Sequence, residues 1–236
     1  MQIDVVDHVA GASRARGIAL VIDVFRAFTV APHAVAAGAS RVLPVGAIED
    51  ALALRDAMPD AVLVGERHAR RLPGFDAGNS PTEVLALGVA GRPVIHTTHA
   101  GTQGLVNATG ADEVLTASLV NVSALVRYVQ SRDPQYVTIV RMGHEAHERC
   151  AEDDFCAEAL VALFSGGRAP TIAEARDRLR NAPAAVKFFD READWAPLTD
   201  FDYCTEVDRF DFVLRLRTGA DGRRELERID VPRATA

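Results

Sequence analysis

Acidic and cationic side chains recur here just downstream of short apolar runs, a placement that gathers chemical groups along one edge of an α/β protein. Asp23 directly follows Ala19-Leu20-Val21-Ile22, and Arg26 stands three residues later. A carboxylate and a guanidinium this close can hold a metal ion and a phosphate group respectively. Glu66 and Arg67 follow Ala61-Val62-Leu63-Val64-Gly65 in the same way; an exposed, salt-bridged turn explains that pair equally well. Asp76, Asn79 and Ser80 lie in the glycine-bearing stretch 74–81. Asn79 and Ser80 also suit a helix cap, whereas Asp76 lies too far upstream for that task. Thr97-Thr98-His99-Ala100-Gly101-Thr102 offers hydroxyls and backbone N–H groups at an expected helix start, an anion-binding arrangement. His99 reads as a phosphate donor, a general acid or a hydrogen-bonded turn residue. Glu152, Asp153 and Asp154 precede a helix containing Cys156. The helix dipole alone accounts for three acids there. If the strand ends converge, these acids meet Asp23, Glu66 or Asp76 around Mg²⁺, which prefers oxygen ligands.

Three superficially similar motifs fail on spacing. A haloacid-dehalogenase-type Asp-x-Asp-x-Thr needs an acid where Phe25 stands. His144-Glu145-Ala146-His147-Glu148 lacks the second histidine at i+4 of a zinc-protease helix, so it reads as a solvated loop or helix end. The glycines of 65–78 and 101–104 are followed by no Gly-Lys-Ser/Thr, which excludes a phosphate loop.

The elements that must position these groups follow from periodicity. Apolar runs predict strands at 3–6, 17–23, 41–45, 61–65, 92–97, 113–117 and 136–142. Helix-length segments alternate with them at 31–37, 48–57, 121–130 and 153–164, as in β-α units. Ser80-Pro81-Thr82-Glu83 is a strong helix start, with a serine cap, proline at the first position and Glu three after the cap. Beyond Thr171 the chain is richer in charge, with helical pieces at 171–181 and 183–189 and an antiparallel pair at 212–217 and 225–229. The expectation is one domain over 1–236, its 171–236 part an extension packed on the rest. In open α/β sheets, ligands bind at the carboxyl ends of the strands, the rim where these acids fall.

Composition narrows the partners. The chain has 236 residues, 48% hydrophobic and 25% charged, ordinary for a globular protein able to bury a core. A net charge of −7 argues against general nucleic-acid binding. Three cysteines without paired spacing read as thiols of a reducing compartment. The start of the chain has no basic stretch followed by an apolar core, and no apolar run reaches membrane-spanning length. The expectation is therefore a cytoplasmic protein without membrane contact.

In order, Val21-Ile22-Asp23-Val24-Phe25-Arg26-Ala27, Gly65-Glu66-Arg67, Gly74-Phe75-Asp76-Ala77-Gly78-Asn79-Ser80-Pro81, Ala100-Gly101-Thr102-Gln103-Gly104 and Glu152-Asp153-Asp154-Phe155-Cys156-Ala157 resemble the 2-phosphosulfolactate phosphatase family. The resemblance runs from about residue 18 to 165. It implies a three-layer α/β/α sandwich around a largely parallel or mixed sheet, with a C-terminal helical and hairpin extension. It implies a Mg²⁺-dependent phosphatase of a small anionic phosphomonoester, 2-phosphosulfolactate first, and a homodimer. Asp23, Arg26, Glu66 and Asp76 would be catalytic. Arg67, Asn79, Ser80, Thr98, His99, Gly101 and Thr102 would contact substrate, and Asp23, Asp76, Glu152 and Asp153 the metal. Arg67 or Arg70 would read a second acid group. Two departures bear on the substrate: His99-Ala100 stands where many members carry Asn after a third Thr, and His68-Ala69 where Asn-Gly or Gly-Gly is common. A phosphatase of another 2-phospho-carboxylate and a non-catalytic anion-binding member stand as alternatives.

Overall fold

The computed structural model describes residues 1–233, so the last three residues of the expected extension lie outside the described residues. In chain order the elements are β1 (Gln2–Asp7), α1 (His8–Ala12), β2 (Ile18–Ile22), α2 (Ala27–Ala36), β3 (Arg41–Pro44), α3 (Ile48–Ala57), β4 (Val62–Arg67), β5 (Arg70–Arg71), α4 (Pro81–Ala86), β6 (Pro93–Thr97), α5 (Gly101–Asn107) and β7 (Glu113–Ala117). They continue with α6 (Val122–Arg132), β8 (Tyr136–Arg141), α7 (Ala151–Phe164), α8 (Ile172–Leu179), α9 (Val186–Phe189), α10 (Leu198–Cys204), β9 (Phe212–Thr218) and β10 (Arg224–Asp230). Every expected strand forms within two residues of its expected ends. The Ser80 cap forms as read, its hydroxyl accepting the Glu83 N–H at 3.1 Å.

The α/β sandwich is built on two sheets. The larger runs β1-β8-β2-β7-β9-β10 and the smaller β3-β6-β4-β5. Pairing is parallel through β1, β8, β2 and β7, and likewise through β3, β6 and β4. Side chains alternate across a strand, so a strand buried on both faces serves two cores. Ile18, Leu20 and Ile22 of β2 pack with Leu125 and Val129 of α6 and Cys156 and Leu160 of α7. Ala19 and Val21 face the opposite way, onto Phe28 and Val30 of α2 and Leu105 of α5. Val42, Val62, Val64 and Val94 of the smaller sheet share this second core. Their neighbours Leu43, Leu63 and Ile95 turn outward to Ala51 of α3. The two sheets are further joined where Arg41 of β3 meets Asp221 at 2.7 Å and Glu225 of β10 at 2.5 Å.

The C-terminal helices and hairpin pack into the rest of the fold. Its hairpin completes the larger sheet, with Leu115 of β7 opposite Arg215 of β9. Leu179, Phe188, Phe201 and Cys204 from α8, α9 and α10 enter the same core as the outer face of β2. Phe25, just beyond β2, meets Phe188 edge-on at 5.2 Å and Phe201 at 6.1 Å. Such pairs contribute about 0.5–1.5 kcal/mol beyond their buried area. They fix this segment over the end of β2. Among the described residues, no helix is long and apolar enough to cross a membrane.

Candidate active site

The carboxyl ends of β2 and β8 in the larger sheet and of β4 and β6 in the smaller face one cleft. Its floor holds Asp23, Glu152 and Asp153, all buried. Asp23 ends β2, and its Oδ1 accepts the Ala27 N–H at 3.1 Å, which starts α2. Gly101 comes so close that a Cβ there would sit 2.7 Å from Asp23 Oδ2 and 2.8 Å from the Ala27 Cβ. Only glycine permits that approach. Asp153, in the first turn of α7, accepts the Val24 N–H at 2.9 Å and the Gly143 N–H at 2.8 Å. One carboxylate thus ties the turn after β2 to the turn after β8. Glu152 Oε2 is buried with no hydrogen-bond partner among the described residues. Asp154, the third acid of the run, instead faces Arg141 and Arg149, each at 3.0 Å.

Burial dominates the electrostatics of this floor. It pushes the Asp23 carboxyl from an ordinary 3.8 up to about 7, opposed by the Ala27 N–H and reinforced by Glu66 and Glu152 nearby. Burial likewise raises Asp153, with Asp23 and Glu152 adding to it, and raises Glu152. Burial also raises the Cys150 thiol beside them, so it stays protonated. A group of acids held together in this way favours either a proton or a cation between them.

Glu66 joins the loops on the opposite wall. Its Oε2 accepts the Ala69 N–H at 2.8 Å and its Oε1 the His99 N–H at 2.8 Å. Asn79 also lines the cleft, with Oδ1 3.1 Å from His96 Nε2. Burial lowers His96 to about 4, so this imidazole is neutral and donates to the Asn79 oxygen.

The remaining wall is a cap contributed by 183–205. Arg26 crosses into it and is 2% exposed, with Nη1 donating to Asp200 Oδ2 at 2.6 Å and to the Trp195 carbonyl at 2.9 Å. Asp200 Oδ1 receives the Ser80 hydroxyl at 2.9 Å and the Thr82 N–H at 3.0 Å. Arg26 thereby ties the cap to the turn after β2 through Nη1 while also lining the cleft. Lys187, the sequence's only lysine, lines the cleft beside Arg26 and Glu152. Burial and then Arg26 lower its pKa, while Glu152 and Glu66 act to raise it.

The structure thus brings Asp23, Arg26, Glu66, Asn79, His99, Glu152 and Asp153 to one cleft. Gly101 shapes its floor from behind. Other expected site residues are engaged elsewhere. The Asp76 carboxylate meets Arg55 at 2.6 Å and the Leu63 N–H at 2.8 Å, outside the cleft, because its segment folds back to bond Leu63 near the start of β4. Arg67 spans the Glu66 and Gly46 carbonyls and the Thr97 hydroxyl, tying β4 to β6. Arg70 stacks on Trp195, 3.0 Å from the ring centroid. Ser80 caps α4, and Thr98 and Thr102 exchange hydrogen bonds at the start of α5. Lys187, Asp200 and Trp195 are absent from the motif-based reading. Lys187 did carry a signal: every other basic residue in the chain apart from histidine is arginine.

Comparison with known proteins agrees with this arrangement of motifs. The 2-phosphosulpholactate phosphatase family profile matches residues 4–219. A Bacillus subtilis protein named "Probable 2-phosphosulfolactate phosphatase" is 32% identical over 202 residues, covering 85% of this chain and 87% of its own. A Deinococcus radiodurans protein of the same name is 41% identical over 148 residues, 62% of this chain and 61% of its own. Another from Caldanaerobacter subterraneus is 32% identical over 219 residues, covering 85% and 88%. With most of its length matched, the chain belongs to the 2-phosphosulfolactate phosphatase family and so is a phosphoric monoester hydrolase.

Proposed function

We propose that this protein hydrolyses 2-phosphosulfolactate to sulfolactate and phosphate with a divalent cation, Mg²⁺, held at the cleft floor. The observation that carries the reading is the buried Glu152 Oε2, without a partner among the described residues and set among acids that burial has made hard to ionise. Hard oxygen donors of this kind fit Mg²⁺. Asp23 and Glu152 would hold it, and Asp153 would fix the Val24 and Gly143 turns around it. Bound there, the ion would neutralise charge on phosphoryl oxygens, the chief demand of phosphoryl transfer.

The chain's own groups do the rest. Lys187 supplies a positive charge from the cap side, where its partly desolvated ammonium attracts a phosphoryl oxygen more strongly than in water. Asn79 adds polar contact from the opposite wall, its orientation set by His96. Arg26 acts indirectly, holding the cap that carries Lys187. The chain's free thiols fit a cytoplasmic enzyme, and its kinship fits a homodimer.

The test is phosphate release from 2-phosphosulfolactate and from phospholactate, with Mg²⁺ and with EDTA. The expected result is metal-dependent release from 2-phosphosulfolactate, lost by about 100-fold or more in Asp23→Asn. Release from phospholactate alone would move the assignment to another 2-phospho-carboxylate. Silence from a folded, Mg²⁺-binding protein would contradict turnover and favour an anion-binding role.

A further inference from the structure

At the outer lip of the cleft, chemistry of a different kind gathers. Five of the chain's seven histidines, His8, His68, His99, His144 and His147, lie along this lip and an adjoining hollow around Glu145. His68, His99 and Glu145 each offer one ligand atom, and these atoms lie within 4.8 Å of one another. They come from three separate segments: the turn after β4, the turn after β6 and the loop after β8. His68 Nδ1 stands 2.5 Å from Glu145 Oε1, and the His68 and His99 rings meet edge-on at 5.0 Å. His99 Nδ1 is buried without a hydrogen-bond partner among the described residues. His144 Nε2 lies 4.0 Å from the same Glu145 oxygen, within reach as a further donor.

The supporting backbone is specialised. His68 and Ala69 on one side and Glu145 and Ala146 on the other have φ between 50° and 61°, which non-glycine residues seldom adopt. Glu66 fixes the first and second of the three segments together through the Ala69 and His99 N–H groups. Strain of this kind persists where surrounding contacts over-determine it.

We propose that His68, His99 and Glu145 form a second cation site, selective for a borderline divalent ion such as Zn²⁺. It is separate from the carboxylate floor and lies at the cleft mouth. Two imidazoles and one carboxylate match a zinc site that keeps an open position for water or an anion. Ligands about 2.0–2.2 Å from such an ion stand about 3.3 Å apart. The exposed His68 side chain can rotate to close the remaining gap. The floor has oxygen donors only and suits the harder ion, so the two sites differ in the ions they select.

The test titrates Zn²⁺ into the full chain with Mg²⁺ in excess to fill the floor, read by competition with a chromophoric chelator. Co²⁺ substitution, read by its visible ligand-field absorption, serves as a second measure. The expected result is one Zn²⁺ equivalent that Mg²⁺ does not displace, weakened more than about 10-fold in His68→Asn and in His99→Asn but unchanged in Glu152→Gln, which alters a floor ligand and leaves the Gly143 turn tied by Asp153. Asparagine tolerates the left-handed backbone at position 68, so His68→Asn removes the imidazole without adding strain. The Co²⁺ absorption should disappear in the same two variants. Zn²⁺ affinity equal in wild type and His68→Asn, or lost in Glu152→Gln, or undetectable in wild type, would overturn the proposal. None of these readings depends on phosphate release, so it stands or falls apart from the phosphatase assignment.

Discussion

At the floor of the cleft, Asp23, Glu152 and Asp153 are buried facing one another; in the cap, Asp200 is buried against Arg26 at 2.6 Å. Both regions place charge inside the protein, with opposite consequences for folding. The cap neutralises its charges pairwise and completes their hydrogen bonds through Ser80, Thr82 and the Trp195 carbonyl. The floor leaves like charges together, with Glu152 Oε2 lacking a partner among the described residues. Groups that raise one another's pKa weaken the folded state whenever they ionise, so a cation that binds there also stabilises the fold. The cap is a structural ion pair that also carries the Lys187 charge, and the floor a site completed by its ligand.

The sharpest break in that contrast is Asp200→Ala. It strands the fully buried Arg26 guanidinium, and denaturant unfolding should show a loss of about 3–5 kcal/mol. A loss below about 1 kcal/mol would mean that the cap does not depend on this pair. The floor should respond to pH instead. Between an ordinary 3.8 and about 7, the folded protein keeps a proton on Asp23 that the unfolded chain has released. Metal-free stability therefore falls as pH rises through that window, by at most about 1.4 kcal/mol per pH unit from this group, and levels off above it. Unfolding curves in EDTA should show this slope in wild type and a shallower one in Asp23→Asn; equal slopes would contradict it. Added Mg²⁺ should stabilise wild type most at the high end of the window, where the acids are ionised.

The smallest effect concerns the joint between the regions. Ser80→Ala removes both the α4 cap and one hydrogen bond to Asp200, and should cost about 1–2 kcal/mol. If the loss in Ser80→Ala,Asp200→Ala equals the sum of the single losses, the two residues are not coupled.

The two regions differ as much in how far the sequence discloses them. Asp23, Glu152 and Asp153 follow apolar runs or begin a helix, local signals that periodicity exposes, and the strands carrying them form where expected. The pairing of those strands into two sheets was not legible, because an apolar run does not name its neighbour. Asp76 shows the same limit: it follows a strand and has the right chemistry, yet it faces Arg55. The Arg26–Asp200 pair was not legible either, because the partner lies 174 residues away and no local pattern connects Asp200 to Arg26. Lys187 sits on a short helix with no motif, and only its singular residue type marks it.

The most direct test of the account compares wild type, Asp23→Asn and Lys187→Met in Mg²⁺-dependent phosphate release from 2-phosphosulfolactate, with folding checked by unfolding curves. Both variants should fold and each should lose about 100-fold or more in turnover, the floor and the cap being equally required. Normal turnover by Lys187→Met, or no metal-dependent release by wild type, would contradict it.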